Sequence, residues 1–76
     1  MNIIKENFTY KLTLIGGKEL LLEGHKGITH YEENRVEIRV KGGLLSIEGA
    51  LIYIEEINEE EVLVKGEITG LGVIKK

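Results

Sequence analysis

Two histidines and a crowd of carboxylates are the groups in this chain with the widest chemical reach. His25 and His30 are its only histidines, and all 13 acidic residues are glutamate. Glu23 stands two residues before His25, so on a strand the two would share a face. With Glu19, Glu23 or Glu32, the histidines could form a two-histidine, one-carboxylate metal site. The simpler reading is a histidine near a strand end that hydrogen-bonds a loop carbonyl or a neighbouring carboxylate. So many glutamates pass near any histidine here that no metal ligand is expected. Ser46 is the only serine, and it alternates out of phase with Leu45 and Ile47, so it reads as a solvent-facing strand residue. There is no G-x-S-x-G elbow, and without aspartate no Ser–His–Asp triad. Gly70-Leu71-Gly72 lacks the third glycine and following helix of a phosphate loop. The runs Glu55-Glu56 and Glu59–Glu61 lack EF-hand spacing and read as solvated surface. No catalytic residue, cofactor or metal follows from this inventory, and the chain is not expected to be an enzyme.

Composition narrows the classes further. Isoleucine, leucine and valine supply 11, 10 and 5 of the 76 residues, too many for a disordered acidic tail. Cysteine is absent, which removes a disulfide framework or a thiolate metal site. No apolar run approaches a membrane span or a secretory leader core. The net charge is −3 and the four aromatics, Phe8, Tyr10, Tyr31 and Tyr53, are not interleaved with a basic patch. Single-stranded nucleic acid, which needs stacking rings beside a basic groove, is therefore not an expected partner. A domain of this length buries only roughly 60% of its unfolded surface, so help from self-association is expected.

The elements that must position these residues are strands. Phe8, Tyr10, Leu12 and Leu14 alternate with polar residues, as do Val36, Ile38 and Val40. Leu20–Leu22, Ile28–Tyr31, Leu45–Gly49, Ile52–Ile54 and Val62–Ile68 read as further strands, with Leu71 and Val73 forming one more. Glycines fall between the apolar pairs and no window carries a helical period. The expected fold is a small single-domain antiparallel sandwich or barrel of about six to eight short strands, with a β-solenoid-like stack as the alternative. Residues 1–6 form an N-terminal start that can be disordered, and 7–76 form the single β domain.

Turn arithmetic fixes expected registers. A two-residue loop at Gly42-Gly43 sets Val40 against Leu45, Ile38 against Ile47 and Glu37 against Glu48. At Gly16-Gly17 only a three-residue loop, Gly16–Lys18, pairs Leu14 with Leu20 and Leu12 with Leu22. A three-residue loop Asn58–Glu60 likewise pairs Ile54 with Val64 and Ile52 with Gly66. The structural turns are thus assigned to Gly16, Gly17, Gly42 and Gly43. Ile15, Leu21, Leu44, Leu51 and Leu63 fall on the phase opposite the core. Such a patch asks for cover, and Leu21, Leu51 and Leu63 are the candidate self-association residues of a homo-oligomer, most simply a two-fold dimer.

Taken in order, Leu12 and Gly16; Leu22, Glu23, His25 and Gly27; Val36 and Ile38; Gly43, Leu45, Ile47 and Gly49; Ile52 and Ile54; and Val64, Gly66 and Ile68 follow a known pattern. That pattern is an L-x-x-x-G start, an I-E-x-H-x-G centre, and a tail of I-x-I, G-x-L-x-I-x-G, L-x-I and V-x-G-x-I. The chain resembles the small YabP/YqfC-type sporulation proteins of endospore-forming bacteria, and the YqfC branch more closely. Leu22 stands where isoleucine is usual, Gly24 where asparagine is usual, and Gly42 where a larger residue is common. The resemblance implies a non-enzymatic structural or assembly role in endospore formation. It implies a cytoplasmic place on the mother-cell side of the developing spore envelope, alongside an integral membrane sporulation protein. Glu23, His25, Lys26 and Gly27 form the candidate interaction segment. The alternative function is a small binding module with a ligand or metal near Glu23–His25.

Overall fold

The structure, a computed structural model, describes residues 10–75. The expectations for residues 1–6 and for Phe8 lie outside the described residues. Six strands and no helix are present among those described: β1 (Lys11–Ile15), β2 (Glu19–Glu23), β3 (Ile28–Glu32), β4 (Arg35–Val40), β5 (Gly43–Ile57) and β6 (Glu61–Lys75). They form one antiparallel sheet in the order β1-β2-β6-β5-β4-β3. The antiparallel order replaces the solenoid alternative. β5 and β6 are 15 residues each, so two expected pairs of short strands run as single long ones. The phase slip at Gly49-Ala50 is absorbed by bulges: the β5–β6 register shifts at Glu48/Gly49, Ala50/Tyr53 and Ile54/Glu56. A bulge adds a residue to one strand, bends it and increases its twist, without ending the pairing.

Those bulges fold the sheet over itself. The first half of β6 pairs with β2 and with the end of β5, while the second half of β6 pairs with the start of β5, which pairs with β4. One layer therefore comprises β1, β2 and the hairpin-tip halves of β5 and β6. The other comprises β3, β4 and the remaining halves. Leu20, Leu22, Val62 and Val64 of the first layer and Val36, Ile38, Leu45 and Ile47 of the second are all 0% exposed within one cluster, with Val40 and Ile52 nearly so. No single-layer sheet could bury both sets, so the molecule is the sandwich form of the expectation. The sheet stays open, with β1 and β3 at its ends. The Tyr31 hydroxyl of β3 accepts the Ile54 amide of β5 at 2.9 Å and stitches one layer to the other.

The bend is capped from both sides. Amides released by the bulges of β5 donate to the β3–β4 turn: Gly49 to the Asn34 carbonyl at 3.2 Å and Ile52 to the Glu33 carbonyl at 2.7 Å. Gly66 and Ile68 of β6 donate to the β1–β2 turn, at the Lys18 and Gly17 carbonyls (3.1 and 3.0 Å). Each turn thus supplies the acceptors that the irregular ladder lacks. Gly66 has φ +133°, and a Cβ there would lie 2.6 Å from the Leu51 carbonyl oxygen and 2.7 Å from the Ile52 Cα. Glycine alone allows the two strands to come this close.

The turns confirm one expectation, keep a second in part and revise a third. β1 and β2 pair Leu12 with Leu22 and Leu14 with Leu20 around the Gly16–Lys18 loop, with Gly16 and Gly17 both at positive φ. The β4–β5 turn sits on Lys41-Gly42, not Gly42-Gly43, because Val40 pairs with Gly43. The register moves by two, so the faces are kept: Ile38 meets Leu45 and Val36 meets Ile47. The move also removes the Glu37–Glu48 opposition and sets Arg35 against Glu48. Gly43 is held in the strand because the Ile74 carbonyl of β6 occupies the place of a Cβ. Only Gly42 takes a positive φ, +86°, so the turn is not the doubly left-handed type. At the β5–β6 tip the strands end at Ile57 and begin at Glu61, so Asn58–Glu60 links them as expected, but Asn58 donates to the Glu61 carbonyl at 2.9 Å and Ile57 stands opposite Val62. Ile54 still pairs with Val64, as expected, because Glu55 bulges out of β5.

Candidate functional site

The segment between β2 and β3 crosses from one layer to the other, and its amides are hydrogen-bonded. Gly24 donates to the Glu60 carbonyl at 2.7 Å, Lys26 donates to the Arg39 carbonyl at 2.7 Å, and Arg39 donates back to Gly27 at 2.8 Å. Gly24 and Gly27 both take positive φ, so the chain turns at each end of the crossing. This ends the strand at Glu23 and takes His25 off the strand face it was expected to share with Glu23.

His25 is clamped at both ring nitrogens. Nε2 donates to the Asn58 carbonyl at 2.7 Å, and Nδ1 accepts the Gly27 amide at 3.0 Å. A carbonyl only accepts and an amide only donates, so this pair of bonds fits the tautomer that carries its proton on Nε2. The ring therefore ties the crossing segment to the β5–β6 tip, the loop-carbonyl role read from the sequence. Asn58 is the other half of this clasp. Its side-chain oxygen accepts the Glu60 and Glu61 amides at 2.9 and 2.8 Å, closing an Asx turn that presents its carbonyl to His25. Sequence reasoning placed Asn58 only in a charged loop; an asparagine ahead of a short charged tip is the signal that could have marked it.

Around the clasp lies an open groove of about 530 Å³, lined by four carboxylates (Glu23, Glu59, Glu60 and Glu61), two lysines (Lys26 and Lys41) and His25. The groove brings Glu23, His25 and Lys26 together, with Gly27 tied beneath them through its amide. Among the described residues, no three His, Cys, Asp or Glu side chains gather as a metal-ligand group. His30 lies elsewhere, on β3, with Nε2 3.4 Å from Glu32. Ser46 sits across from Glu37 and Gly72 on the outer face of its layer.

The outward leucines occupy different settings. Leu21 and Leu63 are partly buried and lie opposite each other across the β2–β6 seam. Leu51 is 70% exposed at the bend and is the one non-glycine with positive φ (53°) among the described residues. Leu44 faces Ile74. Next to Leu21 and Leu63, Lys65 contacts Glu19 at 3.5 Å. Glu55 and then Glu19 raise the Lys65 ammonium above the ordinary lysine value.

Comparison with known proteins gives one consistent family. The family model described as the YabP family matches residues 6–74. Uncharacterized protein YqfC of Bacillus subtilis (strain 168) is 33% identical over 58 residues, 76% of this chain. The match spans 62% of that protein's length. No solved structure matches.

Proposed function

Since this chain belongs to the YabP family, we propose that it is a non-enzymatic structural domain that works in assembly during endospore formation. The observation that carries this reading is the combination of family membership with a site whose one histidine is held at both ring nitrogens by backbone partners. Both nitrogens of His25 are consumed by backbone partners, and Ser46 stands on a strand face opposite a glutamate and a glycine. The family resemblance supports a place on the mother-cell side of the developing envelope, with an integral membrane protein as partner. Small β domains meet such partners through surface patches and strand edges. Capture of the tagged chain from sporulating cells, with and without detergent, tests this. Recovery of an integral membrane protein that depends on sporulation supports the reading; an unchanged yield of heat-resistant spores after deletion of the gene refutes it.

The second reading, a metal or small-ligand module at Glu23–His25, would require His25 to release at least one backbone partner first. Stoichiometric zinc is expected to leave the melting temperature unchanged; a rise would support this second reading, since a ligand bound only by the folded state stabilises it.

A further inference from the structure

Four stretches of strand have a neighbour on one side only among the described residues, and three of them are guarded. β1 is five residues long and starts with Lys11. β3 carries a register break at Ile28/His30 and ends in Tyr31 and Glu32. The end of β5 carries a bulge with Glu55 and Glu56. Short length, bulges and charges are the usual devices against edge pairing. The fourth stretch, Gly70 to Lys75 of β6, has none of them before its last residue. It pairs with Glu48 to Gly43 without a register break, and β2 reaches only as far as Lys65. Its sequence, Gly-Leu-Gly-Val-Ile, has no charge and no proline. Leu71, Val73 and Ile74 are 43%, 47% and 48% exposed.

We infer that this edge is a self-pairing site, at which β6 of one copy adds antiparallel to β6 of a second copy about a two-fold axis at Gly72. The occupant follows from the self-complementarity of the stretch. With Gly72 opposite Gly72, Leu71 meets Val73 of the second copy twice on the inner face, extending the apolar row that Ile47–Leu71 and Leu45–Val73 begin. On the outer face Ile74 meets Gly70, so a large side chain always faces a glycine. No like charges oppose each other. The second layers of the two copies then form one continuous sheet, four strands from each. The pairing deepens the assembly reading, and it is tested on the purified chain alone, so its failure leaves the cellular assay standing.

The absence of cysteine makes the register directly readable. A Cβ at Gly72 would meet nothing within 4 Å, so G72C is accommodated. Directly opposed antiparallel Cα atoms lie about 4.5–5.5 Å apart, within disulfide reach. Under mild oxidation G72C should convert to a species of twice the 8.5 kDa chain mass, while T13C on β1 should remain single. Sedimentation of the unmodified chain over a dilution series should show reversible dimer. L71K/V73K should run as monomer at concentrations where the unmodified chain is dimeric, and mixing it with L71E/V73E should restore the dimer. Circular dichroism confirms that each variant keeps its strands. A unmodified chain that stays monomeric at millimolar concentration overturns the inference. So does equal cross-linking of T13C and G72C, or a dimer abolished by L21K/L63K and untouched by L71K/V73K.

Discussion

Replacing Gly66 by alanine tests the fold where the two halves of the hairpin come closest. The new Cβ would stand 2.6 Å from the Leu51 oxygen and 2.7 Å from the Ile52 Cα, both main-chain atoms that no rotamer change can move. Holding alanine at φ +133° costs about 1–3 kcal/mol in addition. Overpacking costs typically 1–3 kcal/mol. The loss of unfolded-state freedom returns about 0.4–1 kcal/mol. The net is a loss of about 1–6 kcal/mol. A chain of this length has roughly 4–11 kcal/mol of stability in total, so Gly66→Ala should leave it close to unfolding. Two neighbours on the same strand serve as controls. At Gly70 the nearest obstacle is the movable Glu48 carboxylate, 3.3 Å away, and at Gly72 nothing is near. Gly70→Ala and Gly72→Ala should each stay within about 1 kcal/mol of the parent. Thermal unfolding followed by circular dichroism separates the cases, since 1 kcal/mol moves the midpoint by roughly 4–8 °C in a domain this small. A Gly66→Ala midpoint indistinguishable from the Gly72→Ala midpoint would refute the close crossing, and with it the tight bend that makes two layers of one sheet.

Ile38 is 0% exposed, so Ile38→Ala should cost about 2–5 kcal/mol in urea unfolding. His25→Ala removes two hydrogen bonds from a partly exposed clasp, a loss of about 1–2 kcal/mol. Amide exchange should accelerate at Gly27, and unchanged protection there would show the clasp idle. Lys65 is raised by Glu55 and Glu19, so its contribution is present below the ordinary lysine value of 10.5 and disappears as pH climbs through the folded-state value. The alkaline fall in the urea midpoint should therefore be smaller in Lys65→Met.

Local loop geometry was legible in the sequence wherever one loop length alone satisfied the apolar rows. Only a three-residue loop sets Leu12 and Leu14 against leucines, and β1–β2 adopts it. At Gly42-Gly43 two placements keep the same faces, and local pattern cannot choose between them. The deciding contact is the Ile74 carbonyl against Gly43, a neighbour 31 positions along the chain. The same limit hides the two layers: a phase slip at Gly49-Ala50 looks the same whether the chain turns or bulges, and the bulge is settled by acceptors on the β1–β2 and β3–β4 turns. Leu14, placed on the core face by alternation, is 49% exposed because its strand lies at the end of the sheet. For the candidate site, the kind of bond His25 makes was readable. Its partner Asn58, 33 residues away, was not.

The strand order carries a kinetic consequence. Four of the five pairings join strands that are consecutive in the chain, and each needs only a short turn to close. The fifth, β2 against β6, joins Leu20 to Val64 across roughly forty residues. Closing a long loop costs entropy before any contact forms, so the local hairpins should assemble early and the β2–β6 seam should zip late. Substitutions at Leu22 and Val62 should then act mainly on the unfolding rate, and those at Ile38 and Leu45 on the folding rate as well. Stopped-flow chevrons of the four alanine variants measure this directly. Equal slowing of folding at all four positions would mean that the long-range seam is already formed at the barrier.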